Sequence, residues 1–326
     1  MSNLEKDPAE VLIEERPDDE VADPTGTVEI LDPRDVPLGG ARAMAVRRTL
    51  PQRARSLIGG WCFVDHYGPE AVTMDVPPHP HTGLQTVSWL FAGEIEHRDT
   101  VGSHAIINPG ELNLMTAGRG IAHSEVSVPT GTPIPRVLHG AQLWIALPDA
   151  ARHREPFFEN YVPEPFLLGA ATVRVFIGSL AGVTSSATVF SPLVGAQLDL
   201  PAGASVAVPV QAAHEHGVLV DLGDVTVDGT RVPVSHLGYV HPGIESLTIE
   251  AATDARILLI GGEPLGEQIV MWWNFIGRDH DEIVGFRDEW QAGLAQTPGR
   301  FGVLNGYDGS PLPAPPLPPI RLKPRG

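Results

Sequence analysis

Cysteine is nearly missing from this chain. Cys62 stands alone among 326 residues, which excludes an internal disulfide framework and any four-cysteine metal site. Basic residues are scarce too, 22 against 40 acidic ones, for a net charge of −18. That balance opposes nucleic acid or an anionic membrane surface as a direct partner. No apolar run reaches the length of a membrane span. The opening residues, MSNLEKDPAEVLIEERPDDE, hold no positive stretch followed by an apolar one, so no secretory signal is expected. A cytoplasmic protein without membrane contact is the expectation.

What the chain has in quantity is apolar and turn-forming residues. Apolar side chains make up 42% of it, enough for a packed core, and 35 Gly with 32 Pro point to many short strands rather than long helices. β-rich runs bounded by Gly, Pro or Asn include LQTVSWLF (84–91), ELNLM (111–115) and HGAQLWIAL (139–147). After a Pro-containing stretch the pattern resumes with ATVRVFIGSL (171–180), SVAVPV (205–210), HGVLVDL (216–222) and ARILLIGG (255–262). Strands at this spacing imply an all-β protein of sandwiches or jelly rolls. A boundary near residue 160 divides them into similar halves, 26–160 and 161–300.

The ends differ from the middle. Residues 1–25 are acidic, with few large apolar groups, and are expected to be a flexible tail. The segment 301–326, with its PLPAPPLPPIRLKPRG run, reads as an extended Pro-rich tail, a spacer rather than an SH3-type recognition sequence. One short helix is signed near the C-terminus. Asp279 caps it, Glu282 completes a capping-box-like pair, and Ile283, Phe286 and Trp290 form one apolar stripe. Gly293 is the expected stop, and the helix is expected to cover a sheet.

Two short pairs carry the chemistry: His79-Pro80-His81 and His123-Ser124-Glu125. In an extended chain, residues two apart share a face, so each pair presents two ligands together. Three imidazoles and a carboxylate on facing strands suit a divalent first-row metal. The set is too rich in nitrogen for Mg or Ca and has no thiolate. Fe(II) fits best, with Mn, Ni, Cu and Zn open.

The same residues sit in a stretch that resembles a known family. HPHTGLQTVSWLFAGEIEHRDTVGS (79–103) followed by NPGELNLMTAGRGIAHSE (108–125) is similar to the signature of the pirins, members of the cupin superfamily. FVDHYGP (63–69) and GGEPLGEQIVMWWNFIG (261–277) resemble flanking pirin segments, and the likeness runs from about residue 26 to 295. It implies two cupin domains, a metal held by His79, His81, His123 and Glu125, and iron as the usual metal. It also implies a quercetin 2,3-dioxygenase-like activity, in which O2 opens a flavonol ring and carbon monoxide leaves. Glu125 would then be the catalytic base as well as a ligand. The expected partners are a small aromatic substrate such as a flavonol, and O2. The alternative implied by animal relatives is a redox-sensing regulator that acts through a protein partner. Two cupins in one chain can pack as two subunits would, so a monomer is expected.

One position departs from the cupin pattern: Gln85 stands where many cupins place a glutamate, leaving Glu125 as the carboxylate of the set. The second half contains His214-Glu215-His216, but Arg256 and Leu258 fall where a second His and Glu would lie. That half is read as a cupin without a complete metal site, its HEH pair lying on the surface. Phe63, Trp89, Met115 and Trp144 are candidates to line an apolar pocket. Arg119 is expected in a structural ion pair and Cys62 as a small core residue. His97 and His104 are read as solvated loop residues rather than supports of the site, and Asp65 and His66 as having no direct role.

Overall fold

The computed structural model describes residues 27–38, 44–53, 55–128, 131, 136–295 and 299–326; the acidic segment at the N-terminus lies outside them. Two antiparallel β-sandwiches follow one another, as expected for two cupins. The first pairs a seven-stranded sheet, ordered Phe157–Tyr161, Leu112–Thr116, Leu84–Ala92, Val137–Ala146, Trp61–Ala71, Met44–Leu50 and Arg34–Leu38, with a four-stranded one. The smaller sheet runs Asp75–His81, Ile121–Ser127, Ile95–Asp99 and His104–Ile107. In the second sandwich the large sheet is centred on Glu215–Leu222, Ala255–Gly262 and Leu193–Leu200, and the small one on Ser246–Ala251.

The two large sheets pack face to face, and this explains why their strands lack the usual apolar–polar alternation. Val87 and Trp89, Ala141, Leu143 and Ile145 point into a buried cluster shared with Phe176, Ile177, Leu219, Leu258 and Ile260 of the second sandwich. Their strand neighbours Ser88, Gln142 and Trp144 point the other way, toward the small sheet, and are equally buried. A strand buried on both faces reads as continuously apolar apart from a few polar interruptions. Those interruptions mark the functional side.

The expected division at residue 160 is crossed at both ends. Val28–Leu31 pairs with Leu237–Val240, so the first described strand completes the second sandwich. Conversely, the hairpin Val270–Trp272/Phe275–Gly277 and the helix His280–Ala295 pack on the first one. Phe275 bridges to Thr82, the Ile276 N–H donates to Thr82 O (3.0 Å), and Ala122 shares a buried cluster with Trp272, Trp273, Phe275 and Ile283. The helix is capped as expected: Asp279 Oδ1 accepts the Glu282 N–H (2.9 Å), while the Glu282 carboxylate accepts the Arg278 N–H (2.7 Å). It runs through Gly293 to Ala295, because a single helix glycine costs only about 1 kcal/mol.

The Pro-rich segment is not a spacer. It is irregular but docked, with Ala314 and Leu322 buried in the helix cluster. Proline leaves backbone carbonyls unused within its own run, and here side chains of the helix take them up: Trp290 Nε1 donates to Leu312 O (2.8 Å) and Arg287 Nε to Pro315 O (2.9 Å). The Leu312 N–H donates to Pro78 O (2.8 Å), which ties the segment to the strand carrying His79 and His81.

Candidate metal centre

Antiparallel pairing places His79 directly opposite His123, with a register shift between His123 and Glu125. On its other side, the His123 strand meets Ile95–Asp99, with His97 opposite Glu125 and Asp99 opposite His123. His79, His81, His123 and Glu125 are all 0% exposed. The three imidazole rings lie 4.4–5.1 Å apart between centroids, and His81 Nε2 is 3.1 Å from His123 Nε2. Candidate donor atoms of His79, His81 and His123 all lie within 4.8 Å of one another, as do those of His97, His123 and Glu125.

Hydrogen bonding settles which ring nitrogens converge. His79 Nδ1 lies 2.8 Å from Pro77 O, and His81 Nδ1 lies 3.1 Å from Asn274 O in the turn of the C-terminal hairpin. A carbonyl only accepts, so both Nδ1 atoms carry the proton and both Nε2 atoms keep a lone pair. Burial pushes the His79 imidazole down to about 4. Burial, and then the neighbouring imidazoles, push His81 and His123 well below the ordinary histidine value. Neutral, inward-facing lone pairs beside a carboxylate are a donor set that fits a first-row transition metal.

The wall opposite the histidines comes from the large sheet. Ser88 Oγ donates to Gln142 Oε1 (2.8 Å) and lies 3.2 Å from Glu125 Oε1. Asp65 takes a bidentate pair from Arg48 (2.6 and 2.8 Å), both fully buried, and the guanidinium lies 4.1 Å above the Phe63 ring. Phe63 stacks on Trp144 (4.0 Å), whose ring meets His81 edge-on at 5.1 Å. Burial, and then the charges of Glu125 and Asp65, raise the Tyr67 phenol well above its ordinary value. Tyr67 OH, Gln142 Nε2 and Trp144 Nε1 are buried donors with no acceptor among the described residues. Sequence reasoning missed Tyr67, Ser88 and Gln142. The signal available was a polar residue in an otherwise apolar strand.

Other sequence-stated candidates fall elsewhere. Trp89 belongs to the domain junction, stacked on Phe176 with Nε1 donating to Gln197 Oε1 (2.8 Å). Met115 shares a buried cluster with Phe63 and Trp144. Gln85 points away from the histidines, its amide donating to Thr116 Oγ1 and to Thr188 O. His97 is buried in a strand, not solvated in a loop, while His104 is half-exposed and paired with Glu96. Arg119 pairs with Glu155 on the surface, and burial raises the Cys62 thiol. His216 is fully buried rather than at the surface. His66 joins His139 and Asp221 in a second cluster at the domain junction. A cavity of about 390 Å³ beside Arg55, Glu215 and Glu267 is lined by none of the four candidate ligands.

Comparison with known proteins bears on the family and the fold. The Pirin family model matches residues 43–145 and the Pirin C-terminal cupin domain model residues 195–296. A Pseudomonas aeruginosa protein named "Putative quercetin 2,3-dioxygenase" is 40% identical over 290 residues, covering 87% of this chain and 89% of its own. A pirin-like protein of Caulobacter vibrioides is 36% identical, covering 82% and 94%. A crystal structure of quercetin 2,3-dioxygenase from Acinetobacter baumannii superposes with a TM-score of 0.84 at 36% identity, covering 90% of this chain and 97% of that one. A bacterial pirin from Escherichia coli, solved with nickel(II), shares the fold at 18% identity and TM-score 0.58, covering 73% of this chain and all (100%) of that one.

Proposed function

The chain belongs to the pirin family, two cupins in tandem, and from that premise we propose that it is a metal-dependent dioxygenase of the quercetin 2,3-dioxygenase type. The observation that carries this reading is the convergence of three neutral imidazoles and one carboxylate in a buried pocket walled by aromatic rings. His79, His81, His123 and Glu125 would hold the metal, with Fe(II) as the first choice and Mn, Ni, Cu and Zn as alternatives. When bound, the metal would supply Lewis acidity toward a substrate hydroxyl and redox chemistry toward O2.

The protein's own groups do the rest. Glu125 accepts the proton of an enol-like hydroxyl. Tyr67 OH, Gln142 Nε2 and Trp144 Nε1 donate to substrate oxygens. A flavonol suits them, since it presents several oxygens on a flat aromatic frame that can lie against Phe63 and Trp144. Full burial of the ligands keeps bulk water from the electron-rich anion.

The test is aerobic loss of quercetin with detection of carbon monoxide, for protein loaded separately with Fe, Mn, Ni, Cu and Zn. His123→Ala is the control. Turnover with one metal, absent in the control, is expected. Glu125→Gln should keep much of the metal and lose turnover by about 10²–10⁴-fold. No turnover with any metal, despite stoichiometric binding, would refute the flavonol reading and favour the redox-sensing, partner-binding alternative.

A further inference from the structure

His79 and His81 each lean on a backbone carbonyl, but His123 leans on side chains. Its Nδ1 lies 3.4 Å from His97 Nδ1, and His97 Nε2 lies 3.2 Å from Asp99 Oδ2. Both supporting residues are buried, at 2% and 5% exposure. Asp99 is itself fixed, its Oδ1 accepting the N–H groups of Val101 (3.0 Å) and Ser103 (2.9 Å). The His97 ring cannot turn freely, because Phe158 stacks on it at 4.6 Å and 18°. From this geometry we propose that Asp99 and His97 are positioning residues that set the tautomer of His123; the proposal rests on the metal-site reading above.

The protons follow in order. A carboxylate has none to give, so the His97 Nε2 facing Asp99 carries one. With that proton alone, the His97 ring has its lone pair at Nδ1, facing His123 Nδ1. That contact is attractive only when His123 holds its own proton on Nδ1, which leaves Nε2 unprotonated. Nε2 is the atom that faces His81 Nε2 at 3.1 Å. The opposite assignment would set a lone pair of His97 against the Asp99 carboxylate. Acceptors behind a ligating imidazole fix its orientation and raise its basicity. His123 therefore has a charged support where the other two histidines have neutral ones. His97 is not itself a ligand in this arrangement, because it sits behind His123, on the side of that ring opposite His81.

Two variants separate this role from a structural one. His97→Phe keeps a ring against Phe158 but removes the acceptor. His97→Gln keeps an amide oxygen for the His123 N–H. The probe is Cu(II): affinity by competition with a chromophoric chelator, and the number of coordinated imidazoles by pulsed EPR. Both are read on protein whose near-UV circular dichroism matches the parent. His97→Phe should bind about 10–100-fold more weakly. His97→Gln should recover most of that loss, and parent and Gln variant should both show three imidazoles. Unchanged affinity in His97→Phe would overturn the proposal. So would four imidazoles in the parent or two in His97→Gln, either of which would make His97 a ligand. If copper binding by the parent is unaffected by His123→Ala, the metal-site reading falls, and this inference with it.

Discussion

Removing the Asp221 carboxylate should destabilise the chain without touching the metal pocket. Asp221 comes from the second sandwich, on the strand Glu215–Leu222. Its Oδ1 meets His66 Nε2 in a hydrogen bond (2.6 Å) and lies 2.5 Å from His139 Nε2, both from the first sandwich, and its Oδ2 receives Arg256 (2.7 Å). The carboxylate is 0% exposed, and Arg256 only 22%. Truncation to Ala would leave a half-buried guanidinium without its anion and two imidazoles without an acceptor. Breaking a buried pair from one side costs about 3–5 kcal/mol. Arg256 keeps its seat over Phe91, 4.1 Å from the ring, so the low end applies, ~3 kcal/mol. At ~2–4 °C per kcal/mol for a protein of this size, Asp221→Ala should lower Tm by roughly 6–12 °C. A shift under about 2 °C would refute the reasoning.

The same carboxylate has a pH signature. Burial alone would raise its pKa, but hydrogen bonds from His139 and His66 hold it well below the usual carboxylate range. A depressed carboxyl contributes stability above its unfolded pKa, about 3.9, and loses it as pH falls toward the folded value. The parent should therefore lose stability below about pH 4 more steeply than Asp221→Ala. Parallel acid limbs in urea melts would show that Asp221 is not the group responsible.

Two further predictions concern other buried groups. Burial lowers His79 and His216 each to about 4, so protonating either costs more in the folded chain than in the unfolded one. Metal-free protein should lose stability as pH falls from about 6.5 to about 4, by up to ~3 kcal/mol per histidine. Urea midpoints across that range check this, and His216→Leu should flatten the dependence. Trp290→Ala, which empties a buried site and removes the bond to Leu312 O, should cost about 3–5 kcal/mol. It should also weaken metal binding, because the helix cluster seats the hairpin whose Asn274 carbonyl holds His81. Unchanged metal affinity in the folded variant would break that link.

Much of the fold was legible because period two is a strong signal. The HxH and HxE pairs each had to share a face, and short runs bounded by Gly and Pro had to be strands. The same period would have exposed His97 and Asp99, which alternate with Glu96 and Arg98 on the strand Ile95–Asp99 and share the buried face of Ile95. Read as a loop, they lost that face. Asp221 in HGVLVDL and Gln142 in HGAQLWIAL were likewise visible as polar breaks in apolar runs, but the partners that explain them come from strands far away in sequence. Topology was the illegible part. No local pattern says that Val28–Leu31 pairs across the domain boundary, or that a proline run without ladder hydrogen bonds finds its donors on a helix.

The hairpin that supports His81 gives the chain an order of assembly. Asn274 lies 193 residues beyond His81, so a ribosome exposes every candidate ligand long before the group that orients one of them exists. The nascent first cupin would offer a His81 free to adopt either tautomer, and only a chain extending past Asn274 holds it in one. Were these residues to hold a metal, full affinity would arrive only with that hairpin, and shorter chains would bind it more weakly. For the same reason, residues 26–160 cut out as a separate module would carry the four candidate ligands yet lack the carbonyl that aims His81.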